Sequence, residues 1–189
     1  MSGAESRGIE FAVEGITDGQ IRLRLRADSD TPALVAACRD PEVPRWTRVP
    51  DDYDERAAAE WEAEARRQRQ SGEGLHLVIA DAESDGFLGS IGIHDIDREE
   101  GRSNIGYYLA PEARGHGVMT RAVRLVSRWA FDNLPVDRLE IPVIAENSAS
   151  RRVAERAGYT FEGVLRSHTV IKRRRRDMAM YSLLRGELR

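Results

Sequence analysis

The segment Arg114-Gly115-His116-Gly117-Val118-Met119 constrains the fold more than any other part of the chain. Before it, Ser103-Asn104-Ile105-Gly106-Tyr107-Tyr108-Leu109 is rich in aromatic and β-branched residues and reads as a strand. After it, Ala122, Leu125, Val126 and Trp129 recur at helical spacing. A strand, a short glycine loop and a helix start must therefore follow one another. The first amides of such a helix have no intrahelical acceptor, and the positive end of the helix dipole adds to them, so the junction suits an anion. Gly115 and Gly117 carry no Cβ, which lets a phosphate approach the backbone, and Arg114 offers a charged fork. Taken alone, the glycines are also consistent with a tight turn and no ligand.

Two familiar phosphate loops are excluded. No Gly-Lys-Ser/Thr follows Gly117, as a Walker loop requires. A dinucleotide fingerprint requires a third small residue where Thr120 stands, and an early position in the chain, whereas several strands precede this loop.

The other periodicities give an order of strand, two helices, three strands, helix, strand, helix and two strands. Gln20 to Ala27 alternates Ile21, Leu23 and Leu25 with arginines, the period of a half-buried strand. Helices are expected over Thr31 to Arg39, behind the Asp28-Ser29-Asp30 cap, and over Asp54 to Gln70, with an irregular stretch holding Pro41, Pro44 and Pro50 between them. Strands are expected over Leu75 to Asp81, Phe87 to Ile96, Arg138 to Val143, Tyr159 to His168 and Met178 to Leu184. A short helix over Ser148 to Ala157 has Asn147 as its cap and Gly158 as its stop. This is a mixed α/β domain with an antiparallel meander feeding a central helix.

At 189 residues, with 41% hydrophobic and 32% charged residues, one domain is expected: an N-terminal segment over 1–19, then the domain proper over 20–189. There is no run of about 18 apolar residues to span a membrane. Met1 to Ile9 lacks the pattern of a signal peptide. Cys38 is the only cysteine and reads as a buried thiol, so a reducing, cytoplasmic setting is expected. A net charge of −3 gives no global argument for nucleic acid, and no cluster has metal-ligand spacing.

A second segment narrows the reading. Glu146-Asn147-Ser148-Ala149-Ser150 runs into Arg156-Ala157-Gly158-Tyr159. With Arg114 to Met119 ahead of it, the chain resembles the GNAT superfamily of N-acetyltransferases, whose acyl-CoA pyrophosphate loop has the pattern Gln/Arg-x-x-Gly-x-Gly/Ala. Met119 departs from the last position. Asn147 to Tyr159, Asp40-Pro41-Glu42-Val43 with Trp46, and Tyr107 to Pro111 are similar to the subgroup that acetylates ribosomal-protein N-termini at alanine or serine. The resemblance spans roughly residues 20 to 185.

That resemblance implies a GNAT-like fold: a mixed, mostly antiparallel sheet flanked by helices and splayed where strand 103–109 bulges and parts from strand 138–143. It implies acetyl-CoA as co-substrate, no metal, and direct transfer to a primary amine in a ternary complex. The acceptor is a protein N-terminal α-amine or a small molecule. Arg114, Gly115, His116, Gly117, Val118, Met119 and Thr120 would hold the diphosphate, and the backbone of Leu109 the pantetheine arm. Asn147 would bond a pantetheine amide, cap its helix, or do both. Ser150 would protonate the leaving thiolate, or make only a local hydrogen bond.

A glutamate that some subgroup members carry is absent from Ser167-His168-Thr169, leaving His168 and Glu140 as candidate bases. That missing acid also leaves open an acyl-CoA-binding module without turnover. His94, Trp46, Tyr53 and Trp61 lie where they can line the acceptor side, with Trp61 expected to pack on its own helix. Lys172 to Arg176 reads as a solvated hairpin tip, or as a patch for an acidic protein or RNA. Monomer and homodimer are both consistent with the chain.

Overall fold

A computed structural model of the protein describes residues 8–188. In chain order its elements are β1 (Ile16–Thr17), β2 (Ile21–Arg24), α1 (Thr31–Arg39), α2 (Glu42–Trp46), α3 (Glu55–Ser71), β3 (Leu75–Asp81), β4 (Phe87–Asp97), β5 (Arg102–Leu109), α4 (Val118–Asn133), β6 (Arg138–Ile144), α5 (Ser148–Ala157), β7 (Thr160–Ile171) and β8 (Arg174–Leu184). The eight strands form one sheet in the order β1-β2-β3-β4-β5-β6-β8-β7. Every neighbouring pair is antiparallel except β5 and β6.

Strand alternation distributes the side chains between two faces. On one face Leu23, Leu77, Ile79, Ile91, Ile93, Ile105, Leu139 and Ile141 form the main core with Met119, Ala122, Val123, Val126 and Ala130 of α4. Burying each large aliphatic side chain contributes about 1.5–3 kcal/mol. Residues 8–17 join this face too: Ile9 is buried, and Phe11 meets the Trp129 ring edge-on at 5.1 Å. The other face carries α1 and α3, and Leu34, Val35, Cys38, Tyr53 and Ala58 form a second cluster there. Asp54 caps α3 by accepting the Ala57 N–H at 2.8 Å, and Gly72, at φ 77°, ends it.

Most expected elements are present, with four differences. The pairing of β1 with β2 was not expected. A short helix, α2, occupies part of the proline-bearing stretch: Pro41 immediately precedes it and Pro44 lies within it, while Val43 and Pro44 are buried. The last two strands run further toward each other, so the basic segment is part turn, at Lys172 and Arg173, and part strand, from Arg174 on.

The fourth difference concerns the splay. The expected bulge in β5 is absent, since its rungs with β4 run without interruption from Gly89↔Leu109 to His94↔Asn104. The irregularity lies instead between His94 and Asp97. The parting itself is present: β5 and β6 pair only over 102–104 and 138–140, while β6 stays paired to β8 along its whole length.

Candidate active site

The gap between β5 and β6 leaves a set of backbone groups without a ladder partner. Antiparallel pairing alternates inward and outward peptide groups. The Ala110 N–H bonds the Leu88 carbonyl at 2.9 Å, in register with the Ser90↔Tyr108 rung. The peptide groups of Ile105, Tyr107 and Leu109 therefore face away from β4; the Asn104↔Glu140 rung takes up the Ile105 N–H, and those of Tyr107 and Leu109 face the gap. An extended amide-bearing chain can pair with such an edge as an added strand does.

The glycine loop closes the wide end of this gap. Gly115 and Gly117 have φ of 85° and 78°, the left-handed region that favours glycine, and a Cβ at either would meet no protein atom within 4 Å. Both glycines are thus required by backbone conformation, and the surface in front of them is open. Gly117 caps α4 without a side-chain bond, and no acidic residue stands in the first turn. The amides of Val118, Met119 and Thr120 consequently present their donors at the positive end of a 16-residue helix. Met119, the departure from the family pattern, is 4% exposed and belongs to the main core. Its side chain points inward, away from the cradle. His116 is exposed in the loop.

Arg114 differs from expectation. Its guanidinium bonds Asp40 at 2.6 Å and the Leu109 carbonyl at 3.0 and 3.3 Å. The fork ties the end of β5 to the α1–α2 connection, so only the N–H of Leu109 remains to face the gap.

On the opposite side, Asn147 accepts the Ser150 N–H at 3.1 Å, capping α5. The Ser150 hydroxyl lies 3.0 Å from the Tyr107 hydroxyl, which also bonds the Ser150 carbonyl at 3.3 Å. This contact bridges the gap from β5 to α5. Burial raises the Tyr107 hydroxyl to about 12, with the Ser150 bond pulling slightly the other way, so the phenol stays protonated at neutral pH. Tyr107 had been given no role from sequence. The available signal was register: odd-numbered β5 residues share a face with α4 and α5, and a buried tyrosine hydroxyl needs a partner.

The candidate bases do not gather at Ser150. Glu140 stands at the last rung before the strands part, opposite Asn104, and pairs with Arg138 at 2.7 Å. His168 is exposed on β7, the edge strand beyond β8, next to an irregularity where Ser167 has φ 53°. His94 is half-buried and meets the His76 ring at 4.7 Å; desolvation lowers both, and His76 falls to about 3, with the neighbouring His94 adding to the effect. Among the described residues, no carboxylate or imidazole bonds Ser150 or Tyr107.

On the acceptor side, Tyr53 is buried and the Cys38 thiol bonds the Tyr108 hydroxyl at 3.4 Å, with burial pushing the thiol up. Trp61 is less packed than expected. It is 42% exposed and meets the His76 ring edge-on at 4.7 Å. Trp46 donates its indole N–H to Glu42 at 2.9 Å.

A split sheet, a helix start with open glycine amides and a strand edge facing the split define an acyl-CoA transferase fold. Residues 20–160 match the acetyltransferase (GNAT) domain model. A Bacillus subtilis (strain 168) protein named "Putative ribosomal N-acetyltransferase YdaF" is 34% identical over 138 residues, which is 72% of each chain. The solved structure of the microcin C7 self-immunity acetyltransferase MccE, in complex with acetyl-CoA and AMP, superposes with a TM-score of 0.83 at 22% identity, covering 92% of this chain and 98% of that one. The ribosomal L7/L12 alpha-N-protein acetyltransferase RimL, in complex with coenzyme A, does so with a TM-score of 0.81 at 19% identity over 92% and 98%. The chain belongs to the GNAT acetyltransferase family. It is an acetyl-CoA-dependent N-acetyltransferase, similar to the branch that includes ribosomal-protein acetyltransferases.

Proposed function

We propose that the protein transfers the acetyl group of acetyl-CoA to the α-amine of a protein N-terminus, by direct attack in a ternary complex. The observation that carries this reading is the bridge from Tyr107 to Ser150 across a gap whose wide end is the Gly115–Thr120 cradle. In this account the cradle amides hold the diphosphate, with His116 beside them, and the edge of β5 pairs with the pantetheine arm. An N–H of Tyr107 or Leu109 polarises the thioester carbonyl. Asn147 both caps α5 and faces the arm. Ser150 gives its proton to the departing thiolate while Tyr107 holds it in place. Residues 20–189 act as the catalytic unit, with residues 8–19 packed against it.

The nature of the amine follows from basicity. Attack requires a neutral nitrogen, and among the described residues no carboxylate or imidazole bonds Ser150 to remove a proton. An α-amine, with an ordinary pKa of about 7.7–8.0, is substantially neutral at physiological pH, whereas a lysine-like amine at about 10.4 is almost wholly charged. The site therefore suits an α-amine losing its proton to solvent better than a side-chain amine or a polyamine. Supply of acetyl-CoA and a reduced Cys38 both suit the cytoplasm.

The test is a thiol-release assay with acetyl-CoA and paired peptides whose N-termini are free or blocked. Release with the free peptide alone supports the proposal. Equal release from the blocked peptide, or release only with small amines, overturns it.

A further inference from the structure

The β7–β8 hairpin ends in five consecutive cations, Lys172 to Arg176, although the whole chain has a net charge of −3. This concentration lies beside the acceptor half of the gap. Arg176 pairs with Thr169 across the hairpin, and Thr169 receives a hydrogen bond from Arg48 of the α2–α3 connection at 3.3 Å. Lys172 reaches Asp51 of the same connection at 2.5 Å. Arg176 lies 3.8 Å from Glu146, the residue before the Asn147 cap. The hairpin thus joins the wall that carries Asn147 and Ser150 to the connection that follows α2. Alternation along β8 places Arg174 and Arg176 on the face of Met178, Met180 and Ser182, opposite the core-facing Ala179, Tyr181 and Leu183.

Most of this charge is uncompensated. Asp51 and Glu146 answer Lys172 and Arg176, but Arg48, Arg173, Arg174 and Arg175 have no carboxylate partner among the described residues. The turn is also costly, since Lys172 and Arg173 hold φ of 48° and 64°, where Asn-Gly would sit with less strain. An acceptor that arrives as an ammonium, and a polyamine most of all, is repelled by such a rim. A chain that follows its amine with carboxylates is attracted.

We propose that this rim, Arg48 with Lys172 to Arg176, selects acceptor proteins whose N-terminal segment carries Asp and Glu a few residues behind the reactive α-amine. The proposal rests on the α-amine reading and specifies its substrate class. Long-range attraction of this kind raises the encounter rate and weakens with salt.

Peptides sharing the same first residues, then continuing with acidic, neutral or lysine-rich sequence, provide the test. At low salt the acidic peptide should exceed the neutral one in kcat/KM by roughly tenfold, and the lysine-rich one should be poorest. High salt should compress the series. In the doubly substituted Arg173→Asn, Arg174→Glu protein the acidic-to-neutral ratio should fall to about one or below. Asn tolerates the left-handed turn, and an unchanged melting temperature would show that the fold is intact. Equal use of acidic and neutral peptides by the wild type, or a ratio unaltered in the variant, overturns the rim while leaving α-amine acetylation standing. Inhibition by single-stranded RNA without any acidic-peptide preference overturns it too. No turnover on any peptide overturns both readings.

Discussion

Two hydroxyls carry the chemistry proposed for single residues. Ser150→Ala removes the proton donor to the thiolate, and a lost general acid costs about 10²-fold or more in rate. The expected outcome is a fall in kcat of that order with acetyl-CoA affinity nearly unchanged, because the cradle and the β5 edge are untouched. Wild-type turnover in this variant removes Ser150 from the mechanism. Tyr107→Phe leaves Ser150 in place but loses the 3.0 Å hydrogen bond that orients it. A neutral hydrogen bond contributes about 1 kcal/mol, so kcat should fall by roughly five- to tenfold. KM for acetyl-CoA should hold, because the backbone edge of β5 remains. Matching losses in kcat and in acetyl-CoA affinity would mean that Tyr107 shapes the donor site instead.

Among the elements, the glycine loop and the start of α1 invite the clearest tests. Gly117→Ala puts a side chain into a left-handed conformation at φ 78°, at a cost of about 1–2 kcal/mol, and places a methyl where the diphosphate would lie. KM for acetyl-CoA should rise by about tenfold or more, beyond what a slightly lower melting temperature explains. An unchanged KM would remove this loop from donor binding.

At α1, Asp30 is 5% exposed. Arg24 bonds it at 2.8 and 2.9 Å, and it accepts the Ala27 N–H at 2.8 Å. Burial alone would raise its carboxyl, but the Arg24 and Ala27 hydrogen bonds outweigh that and hold it below the usual range. The folded carboxyl is thus more acidic than the unfolded one. Its stabilisation is complete above the unfolded pKa of about 3.9 and is lost as pH falls through the lower folded value. Asp30→Asn leaves Arg24 charged and partly unpaired, so unfolding at neutral pH should become easier by about 3 kcal/mol. Denaturant melts of both proteins should converge as pH falls below the unfolded carboxyl's range.

The same elements show what the sequence carries. Short-range signals read well: the alternation of Ile21 and Leu23, the Asp54 and Asn147 caps, and the Gly72 and Gly158 stops each depend on neighbours a few residues away. Long-range geometry does not. Arg114 looked like a phosphate fork because nothing local announces Asp40, which lies far back in the chain. Met119 looked like a flaw in the cradle until its position on the buried side of α4 was known. Tyr107 meets Ser150 only because β5 and β6 separate after a few rungs, and no local periodicity encodes where a ladder stops. The two-residue strand β1 is too short for any period to register.

For the whole molecule, the sheet order leaves one gap open to both faces, which the proposed mechanism uses for donor and acceptor. α4 and α5 stand on the core side, and α1, the α2–α3 connection and the β7–β8 hairpin stand on the other. With no carboxylate or imidazole bonded to Ser150 among the described residues, the amine's own ionisation should govern the rate. kcat/KM for a peptide acceptor should rise with pH up to about 8 and then level off, following an α-amine. A rise continuing toward pH 10 would mark a lysine-like amine, and a plateau reached below pH 7 would mark an enzymic base.

Mass spectrometry of a lysine-containing peptide with a free N-terminus, after turnover with acetyl-CoA, tests the central claim most directly. The account predicts one acetyl group, which fragmentation places on the N-terminal nitrogen, with the lysine side chain unmodified. An acetyl group on the lysine, or an unmodified peptide beside an acetylated small amine, would contradict it.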